Sequence, residues 1–197
     1  MDSTPLSAAQ EKILELFNSI FPISNGLTQS IKQHSKLANF EKKAHLLSLN
    51  EVSKSIYFIL KGGMRTYHIN EEGEDITSWL LFEDDLAISV YSFFSQQPSF
   101  EAIEALEDCT TLKLSHESLS LLYRQHIEFN FIGRYLTEQY YIRSEAKANS
   151  LRMLSAKERY VDLLKRQPQL LKRAPLGHIA SYLGITQSTL SRIRAGI

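Results

Sequence analysis

The chain has 197 residues, 43% of them hydrophobic and 22% charged, and its 22 Lys plus Arg balance its 22 Asp plus Glu. Those proportions suit a globular protein that can bury a core, as one large domain or two small ones, and exclude a low-complexity chain. The single cysteine, Cys109, excludes an internal disulfide and any iron–sulfur cluster held by several cysteines of one chain. Apolar runs such as Ile56–Leu60 are too short to span a bilayer. The opening MDSTPLSAAQEKILELF begins acidic and lacks a basic segment, so it does not read as a signal peptide. A cytoplasmic location without a membrane partner is expected.

In chain order, residues 8–20 place Ile13, Leu16, Phe17 and Ile20 at helical spacing before Pro22, which predicts an amphipathic helix. A second short helix is expected over 27–38, with Leu27, Ile31 and Leu37. From about His45 to Leu114 the pattern changes to short strands: Ile56–Leu60, Met64–Ile69, Asp75–Phe82 with the only tryptophan, Trp79, then Ala102–Leu106 and Thr110–Leu114. Asn70-Glu71-Glu72-Gly73 reads as a hairpin loop with glycine where positive φ is needed. Strands this short and regular predict a sandwich or barrel.

Helical periodicity returns at Ser115 and runs through Tyr123. A pattern of nearly 30 residues without proline follows, from about Ile127 to Leu154. Phe129, Ile132, Leu136 and Tyr140 make one apolar stripe; Phe131, Tyr135, Ile142 and Ala146 make another. Two faces need two partners, and a second copy of the same helix in a homodimer supplies one. Burial wholly within one chain is the alternative. Ser155-Ala156-Lys157-Glu158 has the form of a capping box that starts a new helix. The expected division is therefore 1–126, 127–154 and 155–197.

Zero net charge conceals an asymmetry. From Leu151 onward there are nine basic and two acidic residues, +7 over 47 residues, while the rest carries −7. That basic segment contains LGHIASYLGITQSTLSRIRA over 176–195. Ile179, Ala180 and Leu183 form the inner face of one short helix, and Gly184 permits the left-handed turn that ends it. Thr186 caps a second helix with Leu190 and Ile193 inside. This spacing predicts a helix-turn-helix, and with the charge it points to double-stranded DNA. Gln187, Ser188, Thr189 and Arg192 are the candidate base readers, since Gln pairs with adenine and Arg with guanine edges. Lys172, Arg173, His178, Thr186, Ser191 and Arg194 are the candidate phosphate contacts.

The order of helix, β-roll, long helix and helix-turn-helix resembles the Crp/Fnr superfamily of bacterial transcription regulators from about Asn39 onward. Ile56-Tyr57-Phe58-Ile59-Leu60-Lys61-Gly62 is similar to a family strand and turn, Ala105-Leu106-Glu107-Asp108-Cys109 to another strand, and 177–194 to the DNA-binding signature. The resemblance implies an α+β fold: an N-terminal cyclic-nucleotide-binding-like jelly roll with flanking helices, a long central dimerisation helix and a small all-α C-terminal domain. It also implies a homodimer reading a two-fold symmetric operator, with RNA polymerase contact a further expectation.

The family's nucleotide cassette, G-E-L-A followed by R-[ST]-A, is altered. Ile88 and Ser89 stand where Gly-Glu is expected, and Ser99 and Phe100, followed by Glu101, where Arg-Ser is expected. Without the arginine a charge-assisted bidentate contact is lost, so cyclic AMP binding is not expected, the effector is unknown, and no cofactor is expected. Since the chain stops at Ile197 with no evident wing, DNA contact is expected to rest on the two helices and the basic residues before them. His68 is a weak candidate haem ligand. No catalytic or metal motif joins the six histidines, so an enzyme is not expected. A ligand-binding or protein-interaction module whose helical tail contacts protein is the rival reading.

Overall fold

The computed structural model describes residues 5–196. The predicted first helix is α1 (Pro5–Ile20), and the second is α2 (Asn25–His34), capped by Ser24. Leu37 does not continue α2 but lies in β1 (Lys36–Phe40), because Ser35 closes the helix on Ile31 and the next residues pair with a distant strand. The remaining strands are β2 (His45–Leu47), β3 (Ser55–Lys61), β4 (Met64–Ile69), β5 (Asp75–Leu81), β6 (Leu86–Ala87), β7 (Ala102–Ala105) and β8 (Cys109–Ser115), with a short helix α3 (Val90–Ser95) after β6. They form two four-stranded antiparallel sheets, ordered β1-β8-β3-β6 and β2-β7-β4-β5. Gly73 (φ 81°) and the Asn70 side chain close the β4–β5 hairpin where the sequence places it.

Tyr57, Ile59, Met64, Leu81, Ile103 and Cys109 fill the space between the sheets. Cys109 is fully enclosed, its Sγ donating to the carbonyls of Gly63 and Glu107, and burial pushes the thiol pKa up. A second core joins α1 and α2 to α4 (His116–Gln125) and the start of α5 (Ile127–Met153) through Phe17, Leu27, Leu122, Phe129 and Ile132. Of the two stripes expected on α5, the first is buried only at Phe129 and Ile132, with Leu136 half-buried and Tyr140 exposed, while Phe131, Tyr135, Ile142 and Ala146 of the second are all exposed. Ile142 keeps 57% of its accessible area.

The C-terminal helices are α6 (Ala156–Arg166), α7 (Leu170–Arg173), α8 (Leu176–Tyr182) and α9 (Gln187–Ala195). The capping box at α6 is complete: Ser155 Oγ accepts from Glu158 N–H, and the Glu158 carboxylate accepts from Ser155 N–H. These helices share a third core, Tyr160, Leu163, Leu170, Ile179, Leu183 and Leu190, that also takes Leu80 from β5 and Leu106 from the loop after β7.

Gly133 sits where α5 crosses α4, and a Cβ there would collide with the Tyr123 ring. Replacing it with alanine overfills a closed contact between two helices. For Gly133→Ala the expected loss is about 1–3 kcal/mol of unfolding free energy, read as a lower urea midpoint with an unchanged slope.

A candidate nucleic-acid interface

Helix α8 ends in the turn Leu183-Gly184-Ile185, with Gly184 at φ 65°, a conformation that costs any residue with a Cβ about 1 kcal/mol or more. Ile185 N–H donates to the Ala180 carbonyl, which closes the turn. Thr186 then caps α9 through Thr189 N–H. Ile179, Ala180, Leu183 and Leu190 are buried between the two helices, as their spacing predicts. One face of α9 is left exposed among the described residues.

Gln187, Ser188, Ser191, Arg192 and Arg194 are exposed, and no carboxylate lies within ion-pair distance of either arginine among the described residues. Lys172 is likewise exposed and unpaired. Thr189, assigned above to base reading, is half-buried, and its hydroxyl lies 2.9 Å from that of Thr186. Ser188 Oγ is 3.0 Å from the same Thr186 oxygen. The helix cap therefore engages Thr186, Thr189 and Ser188, while Gln187 and Arg192 project from the exposed face of α9.

Two expected phosphate contacts face the other way. Arg173 is turned into the β-roll, where it donates to both Glu83 oxygens (2.7 and 2.8 Å) and through Nε to Glu107 (2.9 Å), and it lies over Phe82. The Arg173 guanidinium holds the Glu83 carboxyl down at about 2, with partial burial opposing and the Gly62 N–H assisting. His178 lies beside Arg65, and its Nδ1 is buried without a partner. Burial first, and the Arg65 charge second, lower its pKa, which favours the neutral ring. A half-buried imidazole held toward its neutral form is poorly suited to bind phosphate.

The same contacts fix the helix-turn-helix to the rest of the chain. β5 is the edge strand of its sheet, and its free Thr77 N–H donates to Ser181 Oγ of α8 at 2.8 Å. Arg65, fully enclosed, pairs with Asp75 (2.6 Å) and Glu104 (2.8 Å) beneath that contact. Part of the positive charge that the sequence assigns to DNA is thus matched inside the molecule: Arg173 by Glu83 and Glu107, and Arg166 by Asp162.

The altered cassette lies between β6 and β7. Ser89 and Ser99 are fully buried, with hydroxyls 3.0 Å apart, and Ser99 Oγ donates to the Glu101 carbonyl. Burial raises the Glu101 carboxyl pKa, against a hydrogen bond to Ser89 and the charge of Lys147. Ile88 packs at the margin of the helical core, and Phe100 is 61% exposed, against Tyr91. His68 is engaged by Ser78, with Nδ1 3.3 Å from the hydroxyl. Among the described residues no group of three His, Cys, Asp or Glu is placed to hold a metal, and no helix is long and apolar enough to cross a membrane.

The Arg173 ion pairs also predict acid behaviour. Glu83 has a depressed folded-state pKa, so its contribution is present above the ordinary carboxylate value of 4.5 and is lost as pH falls toward 2. Arg173→Met should lower stability at neutral pH and flatten the decline below about pH 5. Urea titrations across pH would read both effects.

Residues 37–126 match the family model described as a cyclic nucleotide-binding domain. No curated protein matches the chain. Among solved structures, FixK2 from Bradyrhizobium japonicum superposes with TM-score 0.67 at 19% identity, over 82% of this chain and 83% of that one. The c-di-GMP responsive global regulator CLP of Xanthomonas campestris gives 0.64 at 13% identity, over 88% and 91%. A CooA mutant from Carboxydothermus hydrogenoformans gives 0.65 at 19%, over 100% and 84%. Residues 37–126 are thus a cyclic nucleotide-binding-type domain, and the whole chain has the fold of the Crp/Fnr transcription regulators.

Proposed function

We propose that the protein is a sequence-specific DNA-binding regulator that acts as a homodimer. The observation that carries this reading is the exposed outer face of α9, where Gln187, Ser188 and Arg192 stand near Arg194, with Lys172 also exposed and, among the described residues, no carboxylate within ion-pair distance of these cations. Recognition helices of this kind place their first residues against base edges in the major groove. Lys172, Arg194 and Ser191 would hold the flanking phosphates, which set register and affinity. Its expected working units are 1–126, 127–154 and 155–197: β-roll, pairing helix and DNA reader.

The exposed stripe on α5, with Phe131, Tyr135 and Ile142, supports pairing of two copies through that helix. Such a pair would set the two α9 helices on successive major grooves about 34 Å apart, over an operator of two-fold symmetry. The fold family implies a cyclic nucleotide, and the residues present do not fit one. No arginine is available in the cassette for the cyclic phosphate, Ser89 and Ser99 bond to one another, and Glu101 adds a carboxylate where a phosphate would need a donor. Signal sensing through that cassette forms no part of this reading.

Selection of bound duplexes from a random pool should return a palindromic site. On that site Arg192→Ala should cost about 1–3 kcal/mol at one base position in each half. Lys172→Ala should weaken every sequence alike and reduce the salt dependence of binding. Binding to random duplex that does not respond to salt would favour a tail that contacts protein. Ile142→Asp on the exposed stripe should shift sedimentation to monomer and lose the palindromic site together.

A further inference from the structure

A cavity of about 300 Å³ lies where the long helix α5, strand β5 and the C-terminal helices α6 and α8 meet. Ser89, Ser99 and Glu101 of the altered cassette do not line it, although the Glu101 charge acts on Lys147. Four cationic side chains converge on it: Arg143 and Lys147 from α5, and Arg159 and Arg166 from α6. Asp85 neutralises Arg143 at 2.8 Å, and Asp162 pairs with Arg166.

The other two cations have no such partner. Among the described residues Lys147 Nζ bonds only to the Ser78 carbonyl, and it lies over the rings of Tyr182 (4.4 Å) and Trp79 (5.0 Å). Arg159 donates only to backbone carbonyls, Nε to Leu183 at 3.0 Å and Nη1 to Leu154 at 2.6 Å. Among the described residues no carboxylate lies within 4 Å of either, and Glu101 acts on Lys147 only at longer range. Burial lowers the Lys147 pKa to about 8, so the ammonium is held in a place that disfavours its charge. In the same wall, Gln167 Oε1 is buried with no donor.

A wall with two positive charges that no carboxylate directly pairs, several N–H donors and one idle acceptor defines its complement. The complement is a dianion with several acceptor oxygens, joined to a body that carries a hydroxyl or N–H. A carboxylate supplies one charge and two oxygens. A phosphate monoester supplies about two charges and three oxygens near pH 7. Inorganic phosphate alone would leave Gln167 and the apolar lining of Leu80, Leu151 and Leu183 without contact. We propose that this cavity binds a small phosphate monoester, its phosphate on Lys147 and Arg159, a hydroxyl or N–H of its body on Gln167, and that body against Trp79. The ligand would touch β5, α5, α6 and α8 at once, and so tie the helix-turn-helix to the long helix. The site does not depend on the DNA-binding reading.

Trp79 is the only tryptophan in the chain, so its emission reports the site directly. The full-length protein would be titrated with adenosine 5′-monophosphate, ribose 5-phosphate, inorganic phosphate and adenosine, with calorimetry alongside. A saturable change with at least one ester is expected, with no change for adenosine and at least about tenfold weaker binding of inorganic phosphate. The nucleotide and sugar-phosphate arms tell whether a base or a pentose fills the rest. Arg159→Gln should weaken the ester about tenfold. Arg166→Gln, at the exposed rim and remote from the core, should weaken it a fewfold with the melting temperature kept. Lack of ester binding at about 1 mM, equal affinity for inorganic phosphate, or unchanged affinity in both variants would overturn the assignment.

Discussion

The free edge of β5 is the constraint around which this molecule is arranged. An uncovered edge strand offers unpaired backbone groups to any passing strand. Here α8 covers it: Thr77 N–H finds Ser181, Leu80 enters the core of the C-terminal helices, and Arg173 bridges to Glu83 and Glu107. The apolar contact supplies most of the attraction, and the ion pairs fix the orientation, since partly exposed pairs add little energy on their own. The consequence reaches α9. With α8 held on the sheet, the second helix of the pair has one direction in which to face, and its polar side looks away from the β-roll.

Helix α5 connects this arrangement to everything N-terminal of it. Its first turns are buried by Phe17, Tyr123 and the close approach at Gly133, and Phe21 stacks on Phe131. Further along, the helix leaves the core and presents tyrosines and Ile142 outward, while Arg143 and Lys147 turn toward β5. One helix therefore has three neighbours to satisfy: the helical core, the β-roll flank, and whatever covers the apolar stripe. A single continuous helix of 27 residues meets all three.

Local chemistry was legible in the sequence, and long-range chemistry was not. The capping box at Ser155, the Asn70–Gly73 turn and the Gly184 corner each rest on residues a few positions apart, so their spacing alone predicts them. Strands β3, β4, β5, β7 and β8 appear as apolar runs for the same reason, whereas β1, β2 and β6 carry no such run. Leu37 misleads because it keeps the helical period, while the decision to leave the helix is made by pairing with Leu112. The short helix α3 has no amphipathic period to announce it. Among site residues, the outward face of α9 follows from its inner face by subtraction. The roles of Arg173 and His178 do not, because their partners lie 66 to 113 residues away in the chain. A positive count over the last 47 residues cannot tell which charges meet an acid inside the fold.

The enclosure of Cys109 has a practical meaning. Its sulfur is sealed between the sheets, hydrogen-bonded, and kept in the unreactive thiol form. A cysteine introduced at an exposed position of α9 would therefore be the one thiol open to a maleimide or a nitroxide reagent. The native residue need not be removed first. If two copies pair as proposed, the separation between two such labels would measure the distance between their α9 helices.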